Sequence, residues 1–516
     1  MYITKSLFVE WMTNPKLAWW HVHSKKDIYL VINDYLYGDM DGMAMGQAAE
    51  DQVLALFDEG TVHHINTDNM RKNWHQTYHD RTMKVMESAV GPVYQPAFLF
   101  EDVFVKCDFL IPDGTGRFDL LEVKAKNTIW KQTKDAPLLD ELGVDVSIQA
   151  WTLRQILGER FSGKCFLAYL NKEYRLQGAI DPHSLILMDD VSDECLDAKK
   201  ILVQLDLMRE HLALDEASFN NIYPYKGDDY MLYYGTTAPQ WSIWSMGCLR
   251  SKTQVLAEHH ISNMDDIDDS VMDLLLKKNG EMGSVYHFVD LWRRGQTMIE
   301  HENIKERLWS LTFPLYFYDY ETIKWPVPLL QGTGPWQQVV VQYSLHKLDA
   351  DGTMTHKEFL LAPWAHDNKV LVEHLIADLD DAQGGSFIVW YQWFENSRNE
   401  EMAKMYPIFH DALMRINAST FDLMEIFKEH LYFDRWFWGS CSIKKVLPVL
   451  TDINYEDLNV ANGAVASELL MKMLRNELNP YELAQAKQDL LAYCKLDTWA
   501  MVEIYRALLA CTEGRE

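Results

Sequence analysis

The stretch Leu315-Tyr316-Phe317-Tyr318-Asp319-Tyr320-Glu321 decides how this 516-residue chain is read. It is apolar and aromatic and lies between Pro314 and Pro326, a pattern that predicts a short strand. Side chains at i and i+2 of a strand share a face, so Asp319 and Glu321 project together. Two adjacent carboxylates repel unless a cation lies between them, and hard divalent ions such as Mg²⁺ take oxygen ligands of this kind. Taken alone, the common tripeptide Asp-x-Glu is better read as a solvated strand edge. A matching acid elsewhere gives it weight.

That acid stands near the C-terminus. Leu490, Cys494, Asp497, Met501, Ile504 and Leu508 recur at spacings of four and three, which predicts a helix over 481–508. Asp497 falls on the apolar stripe, where an uncompensated carboxylate is costly, and Tyr493 lies one turn earlier. Asp-x-Glu on a strand and Tyr-x-x-x-Asp on a late helix together resemble the tyrosine-containing branch of the DEDD exonucleases. The resemblance implies four carboxylates around two Mg²⁺ or Mn²⁺ ions, with Tyr493 orienting the attacking water.

Length and composition allow two or three domains with real cores: 48% of residues are hydrophobic and 12% aromatic. A formal charge of −28 argues against loose coating of nucleic acid, while leaving room for a local basic channel. The seven cysteines include no Cys-x-x-Cys pair, so neither a disulfide framework nor a zinc knuckle is signalled. Met1-Tyr2-Ile3-Thr4-Lys5 lacks a signal-peptide pattern and no apolar run reaches spanning length, so a soluble, cytoplasmic protein without a membrane partner is expected.

In the N-terminal half, 4–19 reads as a capped amphipathic helix followed by a turn, and 46–57 and 70–89 as helices. Strands at 103–111 and 117–125 flank the hairpin signal Asp113-Gly114-Thr115-Gly116. Glu122 and Lys124 share a strand face, with Asp108 on the partner strand. An Asp and a Glu suit Mg²⁺, and a neighbouring Lys polarises water and stabilises phosphate charge. This pattern resembles the PD-(D/E)xK nucleases, in their RecB-like branch. The resemblance implies an early Gly-x-x-x-His helix and a later Gln. Gly46 and Glu50 fit the first with Glu in place of His, and Gln149, in a predicted helix at 145–151, fits the second. Leu153 stands where a Tyr is usual.

The order of segments 169–175, 317–323, 341–346, 439–448 and 493–498 resembles the bacterial family called domain of unknown function 2779. That resemblance implies an α/β (α+β) chain with a RecB-like PD-(D/E)xK nuclease domain at 1–190, a helical bridge at 191–305 and a ribonuclease-H-like, DEDD-type exonuclease domain at 306–516. RecB-like relatives often carry an iron–sulfur cluster on four cysteines. Here Asn14-Pro15 occupies the first position and only Cys248 remains between 235 and 256, so no cluster is expected, and Trp241 and Trp244 are expected to fill its structural place. Asp265-Asp266-Ile267-Asp268-Asp269 reads as a solvated loop or helix cap. The pairs His63-His64 and His259-His260 read as ordinary surface histidines, because neighbours on a helix do not face one another.

In the C-terminal part, strands are expected at 339–345, 357–361 and 386–391 and a helix at 369–379. Tyr391-Gln392-Trp393-Phe394-Glu395 resembles the second exonuclease motif with Gln392 for Asn, which makes Glu395 the third carboxylate and leaves Asp422 in reserve. Lys444 and Lys445 are expected to contact phosphate. The whole reading is a metal-dependent nuclease acting on DNA or RNA, with a 3′–5′ exonuclease site and a separate RecB-like site. The alternative, motivated by the missing cysteines, Leu153 and Gln392, is a nucleic-acid-binding or scaffold protein in which one or both sites have decayed.

Overall fold

The computed structural model describes residues 1–23, 42–68, 73–131, 138–224, 239–379, 384–460 and 462–513. The opening residues of the helix expected at 70–89, and the first few of the 235–256 segment, lie outside them. The protein is a mixed α/β chain that divides into two compact units, one built from residues up to 224 together with 325–337, the other from 239–324 and 338–513. Among the described residues no helix is long and apolar enough to cross a membrane.

The first unit holds a mixed six-stranded sheet in the order His63–His64, Val93–Tyr94, Phe109–Pro112, Phe118–Lys124, Phe161–Leu170 and Ile186–Asp190. Phe118–Lys124 pairs antiparallel with Phe109–Pro112 and parallel with Phe161–Leu170. The single strand expected at 103–111 is broken at Cys107-Asp108. Val103–Lys106 joins a separate three-stranded sheet with Ile3–Thr4 and Ala97–Phe100, whereas Phe109–Pro112 stays in the large one. The break has a cause: Asp108 Oδ2 accepts the Val123 N–H at 2.7 Å, so a side chain takes a donor from the neighbouring strand. The helix Lys5–Thr13 is capped by Thr4, whose hydroxyl accepts the Leu7 N–H, and packs against Asp140–Leu157. Asn14, at the expected first-cysteine position, caps the next helix, Pro15–His23, by accepting from the Lys16 and Leu17 N–H groups. Leu153 is fully buried in the core.

The second unit is organised on a five-stranded sheet. Numbered along the chain, Leu315–Lys324, Gln338–Leu348, Met354–Leu360, Ser386–Val389 and Thr420–Asp422 lie in the order 3-2-1-4-5. The second strand pairs antiparallel with the first and the third, and the fourth and fifth run parallel to the first. The late helix runs from Pro480 to Glu513 and packs on the first two strands. Its stripe is as expected: Leu490, Cys494, Met501, Ile504 and Leu508 are buried, and Asp497 is only 9% exposed. Ahead of the sheet, Trp244, Leu249, Leu256, Phe288 and Trp292 form a separate apolar core, with Trp241 packed against it. Within it Asp268 caps the short helix Asp269–Met272.

Candidate active site

The first strand of the five-stranded sheet brings Asp319 and Glu321 to one face, as the i, i+2 rule requires. One ligand atom each from Asp319, Glu321 and Cys494 lie within 4.8 Å of one another. Glu395 enters from the first turn of the helix Gln392–Met405, is 3% exposed, and its Oε2 has no hydrogen-bond partner. Asp497 comes from the late helix, and its Oδ1 accepts the Tyr455 hydroxyl at 2.5 Å. Lys444 Nζ donates to the Tyr493 hydroxyl at 3.1 Å and lies about 5 Å from the Tyr493 and Tyr455 ring centroids.

Four carboxylates and one ammonium therefore share a buried space. Burial, and then Asp497, Glu321 and Glu395, push Asp319 well above the ordinary carboxylate range. Glu321 rises for the same reasons, with Lys444 opposing. Burial lifts Glu395 to about 8, and lifts Asp497 to about 6 against the Tyr455 hydrogen bond and Lys444. Burial also lowers Lys444, while Asp497, Glu321 and Asp319 pull it back up. Excess negative charge, hard oxygen donors and an orphaned Glu395 oxygen fit a divalent cation such as Mg²⁺ or Mn²⁺. Asp422, held in reserve, is otherwise engaged: its carboxylate accepts the Gln392 and Met424 N–H groups and so caps the helix that carries Glu395. Lys445 is exposed on the helix Ile443–Leu450.

A second cluster lies in the first unit. Glu122, 1% exposed, accepts from Lys5 Nζ at 2.6 Å and Lys124 Nζ at 2.8 Å on Oε1, and from Gln149 Nε2 at 3.0 Å on Oε2. Asp145 accepts from Lys124 Nζ at 2.5 Å and Gln149 Nε2 at 2.8 Å, with Lys5 Nζ 3.4 Å away. Burial would raise Asp145, but Lys124 and Lys5 hold it down to about 2. Asp108 is lifted to about 8, first by burial and then by Glu122. Glu50 accepts from the Tyr94 hydroxyl and Gln95 Nε2 at the edge of this group. The donor set here is already supplied with cations, and a divalent ion on Glu122 would have to displace an ammonium. These residues fit a metal less well than those of the second unit.

Three side chains of these clusters carry no signal in the local sequence that the expectations used. Tyr455 sits in an irregular loop with no motif to flag it. Lys5 meets Glu122 across a separation of 117 residues. Asp145 was within reach, because it lies four residues before Gln149 and thus on the same helix face. The histidine pairs are not gathered into a metal-ligand group among the described residues: His63 and His64 form a short strand, and His259 and His260 follow a helix end.

Residues 316–442 match the family model described as domain of unknown function (DUF2779), which bears out that resemblance over this stretch. The uncharacterized protein MG366 of Mycoplasma genitalium is 25% identical over 245 residues, 44% of this chain and 36% of the relative. Its homolog in Mycoplasma pneumoniae is 28% identical over 246 residues, 43% of this chain and 36% of the relative. The uncharacterized protein UU173 of Ureaplasma parvum is 26% identical over 238 residues, 42% and 34% respectively. The matched part of the chain spans about a third of the length of these relatives. A solved structure titled "Crystal structure of SSO0001" aligns with 35% of this chain and 89% of its own at 12% identity, with a TM-score of 0.16, too low to bear on the fold.

Proposed function

We propose that the second unit is a ribonuclease-H-like exonuclease domain that removes nucleotides from the 3′ end of a DNA or RNA strand in a divalent-metal-dependent reaction. The observation that carries this reading is the convergence of Asp319, Glu321, Glu395 and Asp497 beside Tyr493, with a buried Glu395 oxygen left without a partner. The 3-2-1-4-5 order, with only the second strand reversed, supports the same fold. Bound Mg²⁺ or Mn²⁺ would supply an activated water and charge stabilisation at the leaving oxygen. Asp319, Glu321, Glu395 and Asp497 would hold the ions. The Tyr493 hydroxyl, which accepts from Lys444, would orient the water, and Tyr455 would fix the Asp497 carboxylate through its hydrogen bond. Lys444 adds positive charge where phosphate would enter.

The first unit is proposed as a PD-(D/E)xK-type fold in which Asp108, Glu122 and Lys124 form a second phosphodiester-binding site, with Glu50 and Gln149 beside them. A specific observation favours a binding role for it over cutting: Lys5 and Lys124 already engage Glu122 and Asp145. The test is release of mononucleotides from 3′-labelled and 5′-labelled single strands of DNA and RNA, with Mg²⁺, Mn²⁺ or EDTA, in wild type, Asp497→Ala and Lys124→Ala. Metal-dependent 3′ release lost only in Asp497→Ala is the expected result. Release unchanged in Asp497→Ala would overturn the exonuclease reading.

A further inference from the structure

Apart from the carboxylate cluster, the second unit contains a cavity of about 360 Å³, within the range of roughly 300–1,000 Å³ usual for small-molecule sites. Its walls are aromatic: Phe288, Phe427, Tyr432, Phe433 and Phe437 line it, with His430 among them. Arg250, Lys428 and Asp434 are the charged residues of its lining, and the acid and Lys428 are each engaged elsewhere, so that Arg250 is the cation it offers to a ligand. The Arg250 side chain is exposed and makes no hydrogen bond or ion pair among the described residues. Lys428 is held by Glu425 at 2.6 Å, and Asp434 is occupied by Thr297 and the Trp436 N–H. The Ser284 and Ser440 hydroxyls add neutral donors.

The backbone around this cavity is held in uncommon conformations. Arg250 has φ 52° and ψ −130°, a region that side chains other than glycine rarely adopt. Gly439, at φ +64°, lies so close to Cys248 Sγ and the Phe288 ring that a Cβ would collide with both. The wall also runs into the carboxylate site. The Cys441 carbonyl accepts Trp390 Nε1 at 2.9 Å, and three residues later Lys444 reaches Tyr493. Trp390 itself packs on Phe427 and leads directly into the helix that carries Glu395.

Flat aromatic walls beside an arginine with no partner among the described residues suit a ligand that is planar at one end and anionic at the other. We infer that this cavity is a nucleotide site distinct from the carboxylate cluster, taking the base and phosphate of a nucleoside monophosphate, either free or as the terminal residue of a strand.

Equilibrium dialysis in EDTA tests this without any hydrolysis, so its failure is separate from failure of the exonuclease reading. The probes are radiolabelled AMP and dAMP, adenosine, inorganic phosphate, and a short oligodeoxynucleotide, with wild type, Arg250→Ala, Arg250→Lys and Asp497→Ala. Arg250 is exposed, and a melting curve for each variant verifies folding. The expected result is saturable binding of one mononucleotide per chain, weakened about tenfold in Arg250→Ala, partly restored in Arg250→Lys and unchanged in Asp497→Ala. Adenosine and phosphate alone bind more weakly. Binding of the oligonucleotide but not the free nucleotides, with the same Arg250 dependence, supports the site and assigns it to a strand end. No saturable binding of any probe up to about 10 mM, binding indifferent to Arg250, or binding lost in Asp497→Ala would overturn it.

Discussion

Asp497→Asn should stabilise the metal-free protein while removing its response to metal. Burial raises the Asp497 pKa from 3.8 to about 6, even though the Tyr455 hydroxyl and Lys444 oppose the shift. Two pKa units correspond to about 3 kcal/mol. The folded state binds the proton more tightly than the unfolded one. Below about pH 4 both states are protonated and the group costs nothing. Stability then falls as pH rises through the window from 3.8 to about 6, and above it the full penalty is in place. At pH 7.5 in EDTA the amide escapes that penalty, and its oxygen still accepts the Tyr455 hydroxyl. Stability rises by up to about 3 kcal/mol, roughly 6–12 °C in melting temperature for a domain of this size. Mn²⁺ at a hundred times its Kd stabilises the wild type by about 2.7 kcal/mol, and the variant forfeits most of that. Thermal melts at pH 5 and 7.5, with EDTA and with Mn²⁺, check all three statements. An EDTA melt of Asp497→Asn at or below wild type at pH 7.5, or an undiminished Mn²⁺ shift, would refute the reasoning.

Glu395→Gln keeps the side chain's shape but removes the charge of a proposed metal ligand, so 3′ hydrolysis should fall roughly a hundredfold or more; Asp422→Asn, which weakens a helix cap, should cost about 1 kcal/mol in denaturant melts and leave the rate near wild type. Lys5→Met strands Glu122 and Asp145 beside a single ammonium and should destabilise the first unit by about 3–5 kcal/mol, read from urea unfolding, and the double variant with Asp145→Asn should recover part of the loss. Tyr455→Phe deletes the hydrogen bond that holds the Asp497 pKa down. Its Mn²⁺ affinity should therefore require higher pH, and metal titrations from pH 5 to 8 would show the midpoint moving upward.

The parts of this protein legible in its sequence are those written in local periodicity. The Asp319/Glu321 pair needs only the two-residue repeat of a strand, and the stripe through Leu490, Asp497 and Leu508 only the helical one. Both fell where the sequence put them. The break at Asp108 was invisible because Val103 to Ile111 is one run rich in β-branched and aromatic residues, and the hydrogen bond made there by the Asp108 carboxylate comes from the Val123 N–H, on another strand. Choosing between Glu395 and Asp422 also required three dimensions: both are acids near the same helix, but one faces the cluster and the other its own backbone. Tyr455 and Lys5 act across long sequence separations, and nothing next to them marks the partner they meet.

The two clusters differ in how their charge is balanced, and that difference orders the reading of function. In the first unit, Asp108, Glu122 and Asp145 meet Lys5 and Lys124, and Asp108, raised to about 8, is mostly protonated near neutral pH. The group is close to neutral from its own side chains. In the second, Asp319, Glu321, Glu395 and Asp497 meet Lys444, itself eased toward the neutral form by burial, with Arg398 acting on Glu395. A protein cannot leave that imbalance dry without either holding protons on carboxylates, which accounts for the raised values at all four acids, or recruiting a cation from solution. Protons and divalent ions then compete for the same oxygens. A metal held by the second unit, as proposed, would therefore be lost as pH falls through the range in which its acids protonate, whereas the first cluster, neutralised by covalently tethered lysines, holds its charge balance with no metal in solution.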